Sequence, residues 1–468
     1  MNLRLFATDA LTLPALSEEH REGVLTAIRA LAMVAFSALI VLSPFRARFE
    51  LLSRPAAPVY GDYTNFLLFW SDIAFLALLA LWGLSLLIAG RGPNLGPAAI
   101  RWPVAGLLVI IWLSAAASID PALSAYNALR LTAAVALALY VINEIDSVTK
   151  LAPALLVMVV LQGAVGLSQA IDQESVGLFG LGELDLEVNA GGTSVVWSDE
   201  GPRQLRAYGL SDHPNILGGL LALSLLLLAG ATARVRSAWS MPLAVVFALG
   251  CGALLVTFSR AAGLAMALGL LFVIGLLAYR REWRGAGAWG AVVLGGVIVC
   301  LALIKPYGDE LWQRGVILDP SEVSSTESRS LSEREALVKV SNDVFVGRPL
   351  LGVGVGALPS AIKDGRPDFS YDYQPAHFAL LTVAAETGIA GGMMYGALIV
   401  VPFVLLWWRR RELTPELIGA SGALLAVSII GLLDYYTWSL APGRIWFWLV
   451  LGLWVSAYMR RREAPADA

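Results

Sequence analysis

Apolar runs of about 20 residues, each long enough to cross a bilayer as a helix, alternate along this chain with short polar turns. The pattern predicts spans at roughly 25–45, 66–89, 102–118, 123–143, 151–171, 213–231, 240–257, 261–279, 286–304, 378–408, 417–433 and 442–459, about twelve in all. The fold class expected is all-α, a polytopic integral membrane protein. Two polar stretches interrupt it. One, 172–212, is acidic at its start and basic at its end. The other, 305–376, carries Arg314, Arg329, Arg334 and Arg348 beside several carboxylates and is closed by His377. Within it, Ser330-Leu-Ser-Glu333 reads as a capping box that starts a helix. Leu337, Val340 and Val344 then recur on one face, an amphipathic helix able to rest on the membrane surface. This loop is expected to act as a lid over a site in the outer half of the membrane.

The chain divides accordingly into a cytoplasmic tail (1–24), N-terminal spans (25–171), a central region (172–304), the large periplasmic loop (305–376), and C-terminal spans with a short tail (377–468). The run 378–408 is too long for one span, since it makes ~46 Å of helix against ~30 Å of hydrocarbon. Gly388, Gly391 and Gly392 mark the expected break, with a half-helix from His377 to Glu386 before it.

Composition strengthens the membrane assignment. The chain is 57% hydrophobic and only 15% charged, with mean hydropathy +0.70, where a soluble domain carries roughly 25% charged residues. Its two cysteines, Cys251 and Cys300, both fall in spans and offer no disulfide framework. The mixed polar start shows no cleavable signal. Basic residues in the short turns, such as Arg280, Arg281 and Arg409–Arg411, predict both termini inside. One loop disagrees, because Arg46, Arg48 and Arg54 then lie outside.

Ionisable residues near spans are costly and often functional. Here Asp72, Arg130, Arg206, His213, Arg260, His377, Glu386, Asp434 and Arg444 all fall toward the outer side. A proton or ion pathway would place such groups through the whole thickness. Arginine binds phosphate oxygens through a planar fork, so an arginine-rich membrane cavity suits a lipid-linked phosphate or diphosphate. The exposed start of the helix at His213-Pro-Asn215 also favours an anion. Of three histidines, His213 and His377 lie beside these arginines, where a proton can be moved near neutral pH. Structural readings stand beside the functional ones. Arg444 and Arg348 fit snorkelling anchors. His213 fits a helix cap, His377 a buried hydrogen-bonded histidine, and Asp72 with Arg130 an ion pair between spans. Glu183-Leu-Asp185-Leu-Glu187 fits a solvated loop better than a metal site. Gly352-Val-Gly-Val-Gly356 follows no strand and is not a nucleotide fingerprint.

Taken in order, Arg206…His213-Pro-Asn-Ile-Leu-Gly218, Phe258-Ser-Arg260-Ala-Ala-Gly263, Pro349-Leu-Leu-Gly-Val-Gly-Val-Gly356 and His377…Glu386-Thr-Gly388-Ile-Ala-Gly391 resemble the O-antigen ligase and polymerase family over about 200–440. Where that family often has Asn after the histidine, this chain has Phe378. The resemblance implies a metal-independent glycosyltransferase of the bacterial inner membrane, without cofactor or nucleic-acid partner. Its donor would be an undecaprenyl-diphosphate-linked glycan and its acceptor a glycan or lipid-linked sugar at the periplasmic face. It implies that Arg260 and Arg329 hold the diphosphate and that His377 is catalytic. Arg206, Arg334, His213, Asn215, Glu386, Asp434 and Arg130 complete the expected binding set. A transporter or flippase of a lipid-linked or anionic solute is the alternative, for which inverted repeats and midplane polar groups are expected and not found. A peptidoglycan-type polymerase shares the helical plan.

Overall fold

The computed structural model describes residues 18–196, 203–232, 240–282, 290, 294–296, 298 and 325–460. Eleven of the twelve expected spans coincide with helices: α1 (Glu18–Leu42), α2 (Trp70–Ala89), α3 (Ala98–Ala116), α4 (Pro121–Glu144), α5 (Ala152–Asp172), α6 (Pro214–Thr232), α7 (Ser240–Val256), α8 (Arg260–Tyr279), α11 (Ala379–Trp408), α12 (Pro415–Leu433) and α13 (Ala441–Met459). Between α8 and α11 lie α9 (Ser325–Gly347) and α10 (Leu358–Gly365). Most of the expected span 286–304, with Arg314 and the first part of the long loop, lies outside the described residues. Among the described residues, eight helices are long and apolar enough to cross a membrane, and 214–229 and 242–256 are shorter apolar helices.

The core draws on nearly every span and is densest at the C-terminal helices and α6. Nearly every residue of α13 is buried, and Trp446, Trp448 and Trp454 are among the largest fully buried side chains. Two of their indoles still find partners, Trp446 Nε1 donating to Ser43 Oγ at 2.8 Å and Trp454 Nε1 to Ser421 Oγ at 3.0 Å. Only about a third or less of α1, α2 and α3 is buried, so these helices present apolar surface outward, as lipid-facing helices do.

Four expectations are corrected. Helix α2 begins at Trp70, because Phe66–Phe69 forms strand β2, paired antiparallel with β1 (Arg48–Leu52). Asp72 therefore sits in the first turn, where its carboxylate accepts the Phe69 amide at 2.8 Å, and not inside a span that starts at 66. Helix α9 is already formed at Ser325, so Ser330 and Glu333 lie inside it and cap nothing. Its apolar face does not rest on lipid either. Val340 packs with Val353, Leu358, Ile362 and Ala385, so the helix is seated on the protein. The outward arginines that broke the charge rule are paired: Arg46 and Arg48 with Asp212, both at 2.9 Å, and Arg54 with Asp120 at 2.9 Å.

The expected break in α11 falls at Gly388, with φ 76° and ψ −178°. A β-carbon there would lie 2.1 Å from the Leu350 carbonyl oxygen, so only glycine fits. The break leaves backbone groups that the 349–354 loop satisfies. Ile389 N donates to Pro349 O at 2.8 Å, Val353 N to Ala385 O at 3.0 Å, and Gly354 N to Glu386 O at 3.0 Å. Ser114 Oγ adds a bond to Glu386 O at 2.7 Å. The glycine run is thus a backbone partner for a broken helix, and it fixes the half-helix against α3.

Candidate functional site

Among the described residues the buried charged side chains are Asp72, Glu183, Arg206, Glu386, Asp434 and Arg444. All lie at the end of the bundle where α4, α6, α8, α11 and α13 begin and α5 and α12 finish. The arginines 280, 281 and 409–411 lie at the opposite end.

A cavity of about 360 Å³ opens at the site end. Arg206, Arg260, Arg334, His213, Asn215, His377 and Asp434 all line it, with Ser330, Glu333, Gln374 and Tyr435. The side chains converge from distant parts of the chain because tight local geometry directs them. Arg206 is buried and rigidly held: Nε donates to Thr257 O at 2.8 Å, Nη1 to Ser194 Oγ at 2.8 Å, and Nη2 to Asn215 Oδ1 at 2.7 Å. The first of these bonds clamps the turn between α7 and α8, where Phe258 adopts a left-handed φ of 50°. That turn sets Arg260 at the first position of α8. Helix α6 approaches closely because Gly219 has no side chain, as a β-carbon there would lie 1.8 Å from the Tyr436 hydroxyl. Asn215 Nδ2 then donates to Asp434 Oδ2 at 3.0 Å, while Asp434 Oδ1 accepts the Tyr435 amide at 2.8 Å.

His213 does act as a cap, its Nδ1 accepting the Asn215 amide at 3.1 Å, and it also lines the cavity. Arg334 comes from α9 and makes no hydrogen bond or ion pair with described residues. Arg329 is exposed and does not line the cavity. With α9 helical from Ser325, the inward stripe is Ser330, Glu333 and Arg334, and Arg329 falls beyond its edge. His377 precedes α11 and is largely buried. Its Nδ1 has no hydrogen-bond partner among the described residues. Burial holds the imidazole below its ordinary pKa; Asp434 acts upward on it and Arg334 downward. Neutral imidazole beside converging guanidinium groups can accept a proton while the arginines stabilise an oxyanion.

A second cavity, of about 420 Å³, adjoins the first and shares His213, Glu333, Gln374 and Tyr435 with it. Glu386 and Arg130 line this one. Arg130 holds Asp72 through both carboxylate oxygens, at 2.8 and 2.9 Å, the ion pair between helices that the sequence allowed. Arg444 is no snorkelling anchor. It is buried, donating from Nη1 to Asn127 Oδ1 at 3.0 Å and from Nε to the Trp438 carbonyl. Glu183 is not solvated: it is buried and accepts Gln169 Nε2 at 2.8 Å and the Val176 amide at 2.7 Å, which folds its loop back on α5.

The sequence reading missed the residues between the cavities. Glu333 Oε1 accepts Gln374 Nε2 at 2.9 Å, Gln374 Oε1 accepts the Tyr435 hydroxyl at 2.9 Å, and the Tyr435 and Tyr63 hydroxyls are 2.7 Å apart. Nothing in the spacing of these four residues foretells the chain. The one signal that could have marked them is the tyrosine pair 435–436, beside Asp434 at a span end.

Among the described residues no group of three or more His, Cys, Asp or Glu side chains is placed to hold a metal ion. No curated protein matches the chain. Residues 244–396 match a family model described as O-antigen ligase. This segment contains Arg260, Arg334, His377, the break at Gly388 and three of the four stretches that carry the resemblance, and the match supports the O-antigen ligase and polymerase family.

Proposed function

We propose that this multi-pass membrane protein is a glycosyltransferase that moves a glycan from an undecaprenyl-diphosphate-linked donor to an acceptor hydroxyl, at the periplasmic face of the inner membrane. The observation that carries the reading is the convergence of Arg206, Arg260 and Arg334 with His377 in one cavity at one end of the bundle. Three cations there face two carboxylates, Glu333 and Asp434, and the pocket suits an anion. Arg206 is already bonded on three nitrogens, so its role is to fix the turn that bears Arg260 and to add positive potential. Arg260 and Arg334 are the groups that engage the diphosphate. Arg334 arrives on the lid helix and completes the set only when that helix is seated.

In the reaction the acceptor oxygen bonds to the anomeric carbon as the bond from that carbon to the diphosphate oxygen breaks. The acceptor proton passes to the neutral imidazole of His377. The diphosphate leaves as an anion stabilised by the arginines, which take the place a divalent ion has in other sugar transfers. Helix α9 excludes water, which would otherwise hydrolyse the donor. The test is transfer by the purified protein from lipid-linked donor to rough lipopolysaccharide or to a second lipid-linked repeat. Product formation that Arg260→Ala abolishes supports the reading. Donor turnover that is independent of Arg260 and Arg334 overturns it.

A further inference from the structure

The second cavity differs from the first in charge and in what it leaves unbonded. Three arginines line it, Arg48, Arg130 and Arg444, against five carboxylates, Asp62, Asp212, Glu333, Asp372 and Glu386. Arg48 and Arg130 are moreover committed, to Asp212 and Asp62 and to Asp72 respectively. Such a balance disfavours a second diphosphate. It suits a neutral ligand rich in hydroxyl groups, which carboxylates and amides can bond without a charge mismatch.

Two deeply buried groups identify where that ligand is held. Trp438 bridges Glu386 and Arg444, its indole donating to Glu386 Oε2 at 2.7 Å and its carbonyl accepting from Arg444 Nε. Among the described residues this leaves Glu386 Oε1 and Arg444 Nη2 without a hydrogen-bond partner, although both residues are over nine-tenths buried. The backbone amides of Gly356 and Leu358 also approach the Glu386 carboxylate. The two side chains attract each other as opposite charges, and among the described residues no ion pair within 4.0 Å joins them. One lone pair and one N–H in residues of this cavity wall are therefore left unbonded, at the cost that unbonded buried polar groups carry. Sugar hydroxyls answer both kinds of group, one donating to Glu386 and another accepting from Arg444. At the mouth, exposed Tyr60 offers a ring face to the sugar.

We propose that the second cavity is a saccharide site for the acceptor, with Glu386 and Arg444 binding its hydroxyls and Tyr60 closing over it. The proposal rests on the transferase reading, which sets the donor diphosphate in the first cavity. The shared wall of His213, Gln374 and Tyr435 then brings the two substrates together beside His377. The sugar belongs either to a lipid A core or to a lipid-linked repeat, and the chemistry that holds it is the same.

The experiment uses the full chain in detergent or nanodiscs. Three probes are titrated: undecaprenyl diphosphate, an undecaprenyl-diphosphate-linked oligosaccharide repeat, and rough lipopolysaccharide bearing core sugars only. Glu386→Gln is expected to weaken binding of one sugar-bearing probe about tenfold or more, as loss of a hydrogen bond to a charged group does. Undecaprenyl diphosphate should bind within about twofold of wild type, because its contacts lie in the other cavity. Tyr60→Ala, at the exposed mouth where folding is not at risk, should weaken the same probe severalfold. Loss on rough lipopolysaccharide assigns the sugar to the core. Loss on the oligosaccharide repeat alone assigns it to a lipid-linked repeat. Unchanged affinity for both sugar probes in both variants overturns the proposal, as does an equal loss on undecaprenyl diphosphate. Arg260→Ala separates the two levels. If it leaves undecaprenyl diphosphate binding intact, the donor reading fails, while the sugar probes still report on the second cavity.

Discussion

The imidazole of His377 meets the ring of Tyr435 edge to face, with ring centres 5.1 Å apart. Tyr435 is itself fixed at its hydroxyl by Gln374 and Tyr63, so the histidine packs against an immobile surface between two cavities. A base held in this way spends little reorganisation on reaching its substrate. Removal of the ring by His377→Ala should lower turnover about 10²–10⁴-fold, the usual worth of general base catalysis. Affinity for lipid-linked donor should be unchanged, because the arginines hold the diphosphate. Both quantities need measuring on the one variant. Full turnover would take the histidine out of the mechanism, and lost donor affinity at normal turnover would make it a binding group.

The pH dependence follows from the same burial. His377 must be neutral to accept a proton, and burial depresses its pKa below the usual 6.5. The neutral form then predominates at pH 7, and activity should fall only as pH drops through the lowered value. Asp434 pulls the pKa upward, so its neutralisation by Asp434→Asn should move the acid limb of the pH–rate profile to still lower pH. An acid limb that moves up in that variant, or one centred above 6.5 in the wild type, counts against His377 as the base.

Arg260→Lys should not rescue activity. Lysine keeps the charge but lacks the planar fork that engages two phosphate oxygens. The loss should be comparable with that of Arg260→Ala, in protein that still inserts and folds. Normal transfer by the lysine variant, assayed with purified donor, would show that fork geometry is dispensable.

Transfer should survive EDTA without added Mg²⁺ or Mn²⁺. The reason is the arginine set itself, whose charge lies where negative charge develops on the leaving diphosphate. Activity abolished by chelation and restored by either ion would assign that work to a metal.

Gly388→Ala should cost both stability and activity. The new methyl would collide with the Leu350 carbonyl in a left-handed backbone, and the half-helix that carries Glu386 would have to shift. Strain at such a position costs of order 1–3 kcal/mol. Lower thermal stability in detergent together with reduced transfer is expected. An unaffected Gly388→Ala protein would mean that the break is not needed to seat the site.

Runs of hydrophobic residues alone marked the described helices and the all-α membrane fold, because a lipid-facing helix must be apolar over its whole length whatever it packs against. They also marked the break in α11, since a 378–408 run outlasts the bilayer and glycine is the residue that lets such a helix turn. The chemical types at the site were legible too. Charge is too costly in a membrane to be scattered, so Arg206, Arg260, His377 and Asp434 stood out from their surroundings. What neighbours most charges was not legible, because partners such as Asn215 with Asp434 and Asn127 with Arg444 come from helices far apart in sequence. The seating of α9 likewise depended on Val353, Ile362 and Ala385, residues that only the folded loop brings under Val340. That packing, and not the spacing along the chain, decided that Arg334 and not Arg329 faces the cavity. The division of the site into two cavities was also beyond the sequence. It arises where Glu333, Gln374 and Tyr435, from a lid helix, a loop and a span end, close one hydrogen-bonded wall with Tyr63.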